Sequence, residues 1–375
     1  MTDPVSLLQQ LVSVPSINPR GKDVPAEAMM AETVAAWLCE HGIPAEIQPV
    51  LPGRPNVLAR VPGRDRSRTL LLEAHMDTVE VDGMTVDPFA GAVRDGRLYG
   101  RGACDDKGTL AAMMLAVETL AHGTPPPIDV LLAGVMDEEH QFRGVNHLVG
   151  QDRNFVAAIV GEPTELDLVT AHKGVVRFTV TTLGRACHSS TPWEGDNAIQ
   201  RMAEVLAFLR ATMEPAALAK THPMVGPATW CATLISGGAA VNTVPESCTI
   251  HLDRRTLPGE EPGAVYNEAR EALQRLAPER ITVGDPYVLD YALETDAASP
   301  IVRTLGGAVR RAGFPGAVRG VNYGTDASKT ARAGIPSVVF GPGSIRQAHS
   351  ADEFIEMRQV EAAVSILVDA IRHFV

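Results

Sequence analysis

A chain of 375 residues exceeds the length at which one hydrophobic core usually stops growing, so two domains are the starting expectation. Apolar residues at 45% and charged residues at 21% are ordinary for a soluble globular protein with ample core material. A formal net charge of −12 argues against nucleic acid or an anionic membrane as a partner, since both attract basic surfaces, and part of that charge can face bound cations.

The predicted elements alternate along the first half. A helix is expected over Ala26 to His41, stopped by Gly42 and Pro44. Leu51 to Pro55 and Gly123 to Pro127 are short Gly- and Pro-containing loops, and Thr69 to Glu73 is a short apolar run. After Gly108, apolar residues at Leu110, Met113, Met114, Val117 and Leu120 follow a 3.6-residue period and predict a second helix. Asp129 to Met136 and Val156 to Val160 are short and almost wholly apolar. Such runs between helices point to an α/β fold, a sheet covered by helices on both faces.

From Val175 the texture changes. Val175 to Thr182 is rich in β-branched residues, Asn197 to Leu209 reads as a helix, Cys248 to Leu252 as a strand and Glu261 to Leu276 as a helix. This order predicts a small α+β module inserted into the larger one. Beyond Tyr291 the alternation resumes, with Ser337 to Phe340 a buried strand and Val360 to Phe374 a closing helix. The expected domains are therefore residues 1–174 and 291–375 for one and residues 175–290 for the other.

Five cysteines (Cys39, Cys104, Cys187, Cys231, Cys248) are odd in number and widely spread, which fits reduced thiols in a cytoplasmic protein better than a disulfide framework. The N-terminal segment has no basic stretch followed by an apolar core, and no apolar run approaches the roughly 20 residues that span a bilayer.

The informative feature is where polar residues fall. Leu70 to Leu72 leads into His75-Met76-Asp77, Val130 to Val135 into Asp137-Glu138-Glu139, Ile159-Val160 into Gly161-Glu162-Pro163, and Val338 to Phe340 into a glycine-rich turn and His349. In open α/β sheets ligands bind outside the carboxyl ends of strands, so four strands deliver His, Asp or Glu to one edge. Singly, each cluster has an ordinary explanation: a hydrogen-bonded histidine, a solvated acidic loop, a small buried filler for Cys104 or Cys187, a surface role for His140 or His147. Their coincidence is what signals a site.

His75, Asp105, Glu139, Glu162 and His349 form a donor set suited to two divalent ions, zinc first among them. One carboxylate can bridge two metals about 3.5–4 Å apart. The segment Gly100 to Gly108, with Asp105-Asp106 just before a helix, has the glycines for the close approach a bridge needs. Asp77, two residues after His75 on the same side of an extended chain, can orient its ring. Glu138 and Glu139 are adjacent and diverge, which suits one ligand and one free base.

These motifs in this order resemble a known family. His75-Met76-Asp77-Thr78-Val79, Gly102 to Gly108, Asp137-Glu138-Glu139 and Gly161-Glu162-Pro163-Thr164 are similar to the successive motifs of the co-catalytic zinc family that contains acetylornithine deacetylase, succinyl-diaminopimelate desuccinylase, aminoacylase and glutamate carboxypeptidase. The resemblance spans essentially the whole chain. It implies a zinc-exopeptidase-like catalytic domain, a mixed sheet flanked by helices, with a ferredoxin-like inserted module that serves as lid and dimerises. It implies His75 and Glu162 on one zinc, Glu139 and His349 on the other, Asp105 bridging with a cis peptide bond after it, Glu138 as general base and Asp77 as orienter. Cobalt or manganese are the substitutes it allows for zinc.

The same resemblance assigns His188, in Gly184 to Ser190, to the partner subunit's active site, where it stabilises the oxyanion. Asn242 and Arg255 become contacts for a substrate carboxylate, and Gly324 and Thr325 line that pocket. Ala171-His172-Lys173-Gly174, Val321-Asn322-Tyr323 and Gly341 to His349 look most like acetylornithine deacetylase. His140-Gln141-Phe142-Arg143 departs from the small stretch the family often has after its ligand, and Asp105-Asp106 resembles the carboxypeptidase-like members more. The implied activity is hydrolysis of an N-acyl amino acid amide by a homodimer acting on a small molecule. A dipeptidase, carboxypeptidase or desuccinylase is the alternative, and a non-catalytic metal-binding relative the more distant one.

Overall fold

The computed structural model describes residues 2–20, 26–151 and 153–374. The chain divides into two compact units, one of residues 1–170, 295–319 and 325–375, the other of residues 171–294 and 320–324.

Strands of the first unit pair in the spatial order Ala45–Leu51, Arg54–Val61, Ile128–Val135, Asp65–His75, Phe155–Val160, Ser337–Val339 and Leu168–His172. The strands from Ile128, Asp65, Phe155 and Ser337 run parallel to one another, and antiparallel partners flank them on both sides. The strand Ile128–Val135 is buried at every position, as its unbroken apolar run requires. Two helices cover the core. Lys107–Ala121 is buried on nearly all sides, and Met357–His373 packs against it, burying Val360, Ala363, Ile366, Leu367, Ala370 and Ile371. All four parallel strands end on one edge, and there the chain places His75, Asp137 to Glu139, Glu162 and the turn to His349.

The second unit holds Gly174–Leu183, the helix Ala198–Phe208, Thr229–Gly237, Ser247–Thr256, the helix Pro262–Leu276 and Ile281–Val283. Its strands pair in the order 229–237, 247–256, 174–183 and 281–283, all antiparallel, which is the β-α-β-β-α-β split of a ferredoxin-like module. Alternation along Ser247–Thr256 turns Cys248, Ile250 and Leu252 toward the two helices, where they pack with Phe178, Met202, Val205, Tyr266 and Leu273. This core is separate from that of the first unit. The strand Thr229–Gly237 went unread in the sequence: it forms one end of the sheet, and its residues from Cys231 onward are exposed, so no burial alternation marks it.

Candidate metal centre

His75 ends its strand as a buried side chain whose Nε2 lies 3.0 Å from Asp105 Oδ1. His349 Nε2 lies 3.2 Å from Asp105 Oδ2 and 3.0 Å from Glu139 Oε1. Each oxygen of Asp105 thus faces a different histidine. Two groups of donor atoms result, His75 with Asp105 and Glu162, and Asp105 with Glu139 and His349, each group with its atoms within 4.8 Å of one another. Two imidazoles and three carboxylates sharing one central carboxylate fit a pair of divalent ions, with three protein donors for each.

Electrostatics favour cations here. Burial first, then the negative charge of Asp105, pushes Glu162 well above the ordinary carboxylate range. Glu139 is raised by burial as well, against the bond it makes to His349. Glu138 is raised well above by burial, with Asp326, Glu139 and Asp77 adding to the effect. Bonds to Asp105 and Glu139 hold His349 up at about 10. For Asp105, burial opposes ionisation, but the two histidines overcome it and keep the carboxyl well below its usual range. Protons stand where positive charge is wanted.

The Asp105–Asp106 peptide bond is cis. Glu353 Oε1 accepts the backbone N–H groups of Cys104 and Asp105, at 2.9 and 3.1 Å, and its other oxygen accepts from Arg101 at 2.6 Å. Glu353 is fully buried and holds the bridging residue in place, yet it lies 248 residues away in the chain and carries no local signal. Cys104 is a buried filler whose thiol donates to the Ser344 carbonyl, and none of the five cysteines is paired.

Asp77 is placed differently from a simple carboxylate partner. The His75 Nδ1–H donates to the Asp77 backbone carbonyl at 2.9 Å, while the Asp77 carboxylate stands 3.6 Å from that nitrogen. The carboxylate accepts instead from the backbone N–H groups of Glu138 and Glu139, at 3.0 and 3.1 Å. One residue therefore fixes the His75 ring through its backbone and the acidic pair through its side chain.

In the second unit, His188 is exposed, and its Nδ1 accepts from the Ser190 N–H at 3.2 Å. With Nδ1 turned to Ser190, Nε2 is the ring nitrogen left to donate outward. Asn242 is a neighbour, because Ser189 N–H donates to its carbonyl and His188 pairs with Thr243. Arg255 is half-buried and donates to Asp253 at 2.9 Å, while a side chain at Gly324 would come within 3.3 Å of Asp290. In the first unit Thr325 is fully buried, with its hydroxyl accepting from the Ala327 N–H, so that side chain serves its own turn.

The fold and this donor set are those of a metal-dependent hydrolase. The chain belongs to Peptidase family M20/M25/M40, whose model matches residues 71–373. It is similar to the acetylornithine deacetylase of Photorhabdus laumondii subsp. laumondii, with 34% identity over 389 residues covering 99% of this chain and 97% of the relative. The fold matches that of the M20 family metallo-carboxypeptidase Sso-CP2 from Sulfolobus solfataricus, with a TM-score of 0.82, 18% identity and coverage of 100% of this chain and 99% of that one. It also matches the YXEP protein of Bacillus subtilis, described as a dinuclear metal-binding peptidase, with a TM-score of 0.72, 17% identity and coverage of 98% and 96%.

Proposed function

We propose that this chain is a two-zinc N-acyl amino acid deacylase, with N-acetylornithine as its leading candidate substrate. The observation that carries the metal assignment is Asp105, whose two oxygens face His75 and His349 separately. His75 and Glu162 would hold one ion, Glu139 and His349 the other, and Asp105 both. The near-full-length similarity to an acetylornithine deacetylase favours the deacylase reading over the dipeptidase, carboxypeptidase and desuccinylase alternatives.

Bound there, the ions would polarise the amide carbonyl as Lewis acids and lower the pKa of a water so that it loses a proton readily. Glu138 takes a proton from the attacking water and delivers it to the departing amine, a transfer worth about 10²–10⁴ in rate. Asp77 keeps Glu138 and Glu139 apart by holding their backbone N–H groups, and fixes the His75 ring. His188 of a second copy donates from Nε2 to the developing oxyanion. Arg255 and Asn242 are the candidate contacts for the substrate carboxylate, with Gly324 in the same unit.

A homodimer is supported by the end strand Thr229–Gly237, where Leu234 and Ile235 are 63% and 61% exposed. An apolar sheet edge of this kind invites pairing with another strand. The unpaired cysteines support a reducing, cytoplasmic setting. Among the described residues no helix is long and apolar enough to cross a membrane.

The test is metal-reconstituted protein assayed against N-acetylornithine, N-succinyl-diaminopimelate, other N-acyl amino acids and a dipeptide panel. Preferential hydrolysis of N-acetylornithine is expected. Two bound metals with no turnover on any of them would leave the non-catalytic reading in its place.

A further inference from the structure

The turn that presents Glu138 and Glu139 is held from behind by charge. Asp137 begins it in a left-handed conformation, φ 71°, and is fully buried. Its carboxylate receives Arg54 at 3.1 Å and Arg143 at 2.5 and 3.1 Å, and Arg54 is in turn gripped by the buried Glu27. Asp77 is the second buried carboxylate behind the turn. Asp137 is paired with two arginines and Asp77 with two backbone N–H groups, and one further donor reaches both.

Asn18 is that donor. Its Nδ2 gives one hydrogen bond to Asp77 Oδ2 at 2.7 Å and one to Asp137 Oδ1 at 3.1 Å. Its Oδ1 accepts the Arg20 N–H at 2.8 Å, which fixes which end of the amide faces the carboxylates. The segment is itself anchored: Asn18 N–H donates to the Thr78 carbonyl at 2.8 Å, and Thr78 N–H to the Ser16 carbonyl at 3.0 Å. Prolines at 15 and 19 bracket this run, and Ile17 pairs with Thr78 as a bridge beside Asp77. The amide is 3% exposed and neutral, so it joins the two carboxylates without cancelling the negative charge that attracts the cations.

We infer that Asn18 is a positioning residue for the metal centre, acting through Asp77 Oδ2 on the Glu139 backbone and so on the metal held by Asp105, Glu139 and His349. This rests on the two-metal reading above. The Asp77 oxygen that Asn18 holds is the one that receives Glu139 N–H, whereas His75 is oriented by the Asp77 carbonyl. Loss of Asn18 therefore reaches the Glu139 ligand set before the His75 set.

The experiment is titration of metal-free wild type, Asn18→Ala and Glu139→Ala with zinc against a chromogenic chelator, alongside kcat and KM. Asn18→Ala should weaken one of the two zinc sites about 10- to 100-fold, as partners of metal ligands commonly do. The other site should stay within about twofold, and kcat should fall while KM holds. Asn18→Ser keeps a shorter donor, should lie between, and serves where the alanine variant does not fold. Equal weakening of both zincs, or unchanged binding in Asn18→Ala beside a lost site in Glu139→Ala, overturns the role of Asn18 alone. Two intact zinc sites in Glu139→Ala overturn the metal reading beneath it.

Discussion

The edge of the first unit and the loops of the second are built on opposite principles. At the edge, His75, Asp77, Asp105 and Glu162 are buried; the Asp77 carbonyl holds the His75 ring, backbone N–H groups hold the Asp77 carboxylate, and the buried Glu353 holds the Asp105 backbone. In the second unit His188 and Asn242 stand in solvent, on two loops tied to each other by backbone pairing. Burial suits groups that must hold metals within a few tenths of an ångström, and His349, the exposed member of the set, is held by its contacts to Asp105 and Glu139. Exposure suits groups that are completed by something else, a substrate or a second copy. The comparison predicts that damage at the edge removes chemistry outright, while damage in the loops removes only the increment they add.

The sharpest test is Glu138→Ala. Both metals should remain, since Glu138 lies outside the two donor groups, and kcat should fall by about 10²–10⁴. Metal analysis and steady-state kinetics on one preparation check both halves. Turnover near that of wild type removes Glu138 as the base.

His188→Ala should cost less, about 10²–10³ in kcat with KM nearly unchanged, as for loss of one oxyanion donor. Mixed dimers sharpen the point. A Glu138→Ala subunit retains His188 and a His188→Ala subunit retains its base, so co-assembled chains should recover one working site per dimer. Absence of any recovery places His188 outside the partner's site. Leu234→Glu with Ile235→Lys, at the exposed strand, should yield monomers by sedimentation and the same loss of rate.

The same contrast explains what could be read from the sequence. The edge was legible because each buried strand is an apolar run that stops, and the residues after it have no packing reason to be His, Asp or Glu. Leu70 to His75 and Val130 to Glu139 show this directly. The supports were not legible. Asn18 meets Asp137 across 119 residues and Glu353 meets Asp105 across 248, and no local period encodes either contact. The strand Arg54–Val61 is also hidden in the sequence, although its near-continuous burial marks it as interior, because Leu51 and Arg54 pair directly across a tight turn inside the Gly- and Pro-containing stretch Leu51 to Pro55, which reads as a loop.

Metal affinity should follow pH more gently. His349 is held up at about 10 and Glu162 well above its usual range, so at neutral pH the metal-free edge carries protons that a cation must displace. Each proton released on binding makes the affinity fall about tenfold for every unit by which the pH drops. Calorimetric zinc titrations in buffers of different ionisation enthalpy count the protons released. A count of zero contradicts the electrostatic picture of the edge.

The smallest effect on the site comes from the second unit's core, and it tests whether the two regions are independent. Phe178 is fully buried there, edge-on to Trp230 and Tyr266 with centroids 5.9 and 5.2 Å away. Phe178→Ala should destabilise that unit by about 3–5 kcal/mol, through lost burial and the cavity left behind. Its cluster shares no residue with the core beneath the metal edge. Zinc affinity should therefore stay within about twofold while the unit's unfolding transition moves down, separable by calorimetry if the two cores melt apart. Catalysis should be unchanged below that transition and lose above it at least the increment that His188 and Asn242 add, while the edge still holds its metals.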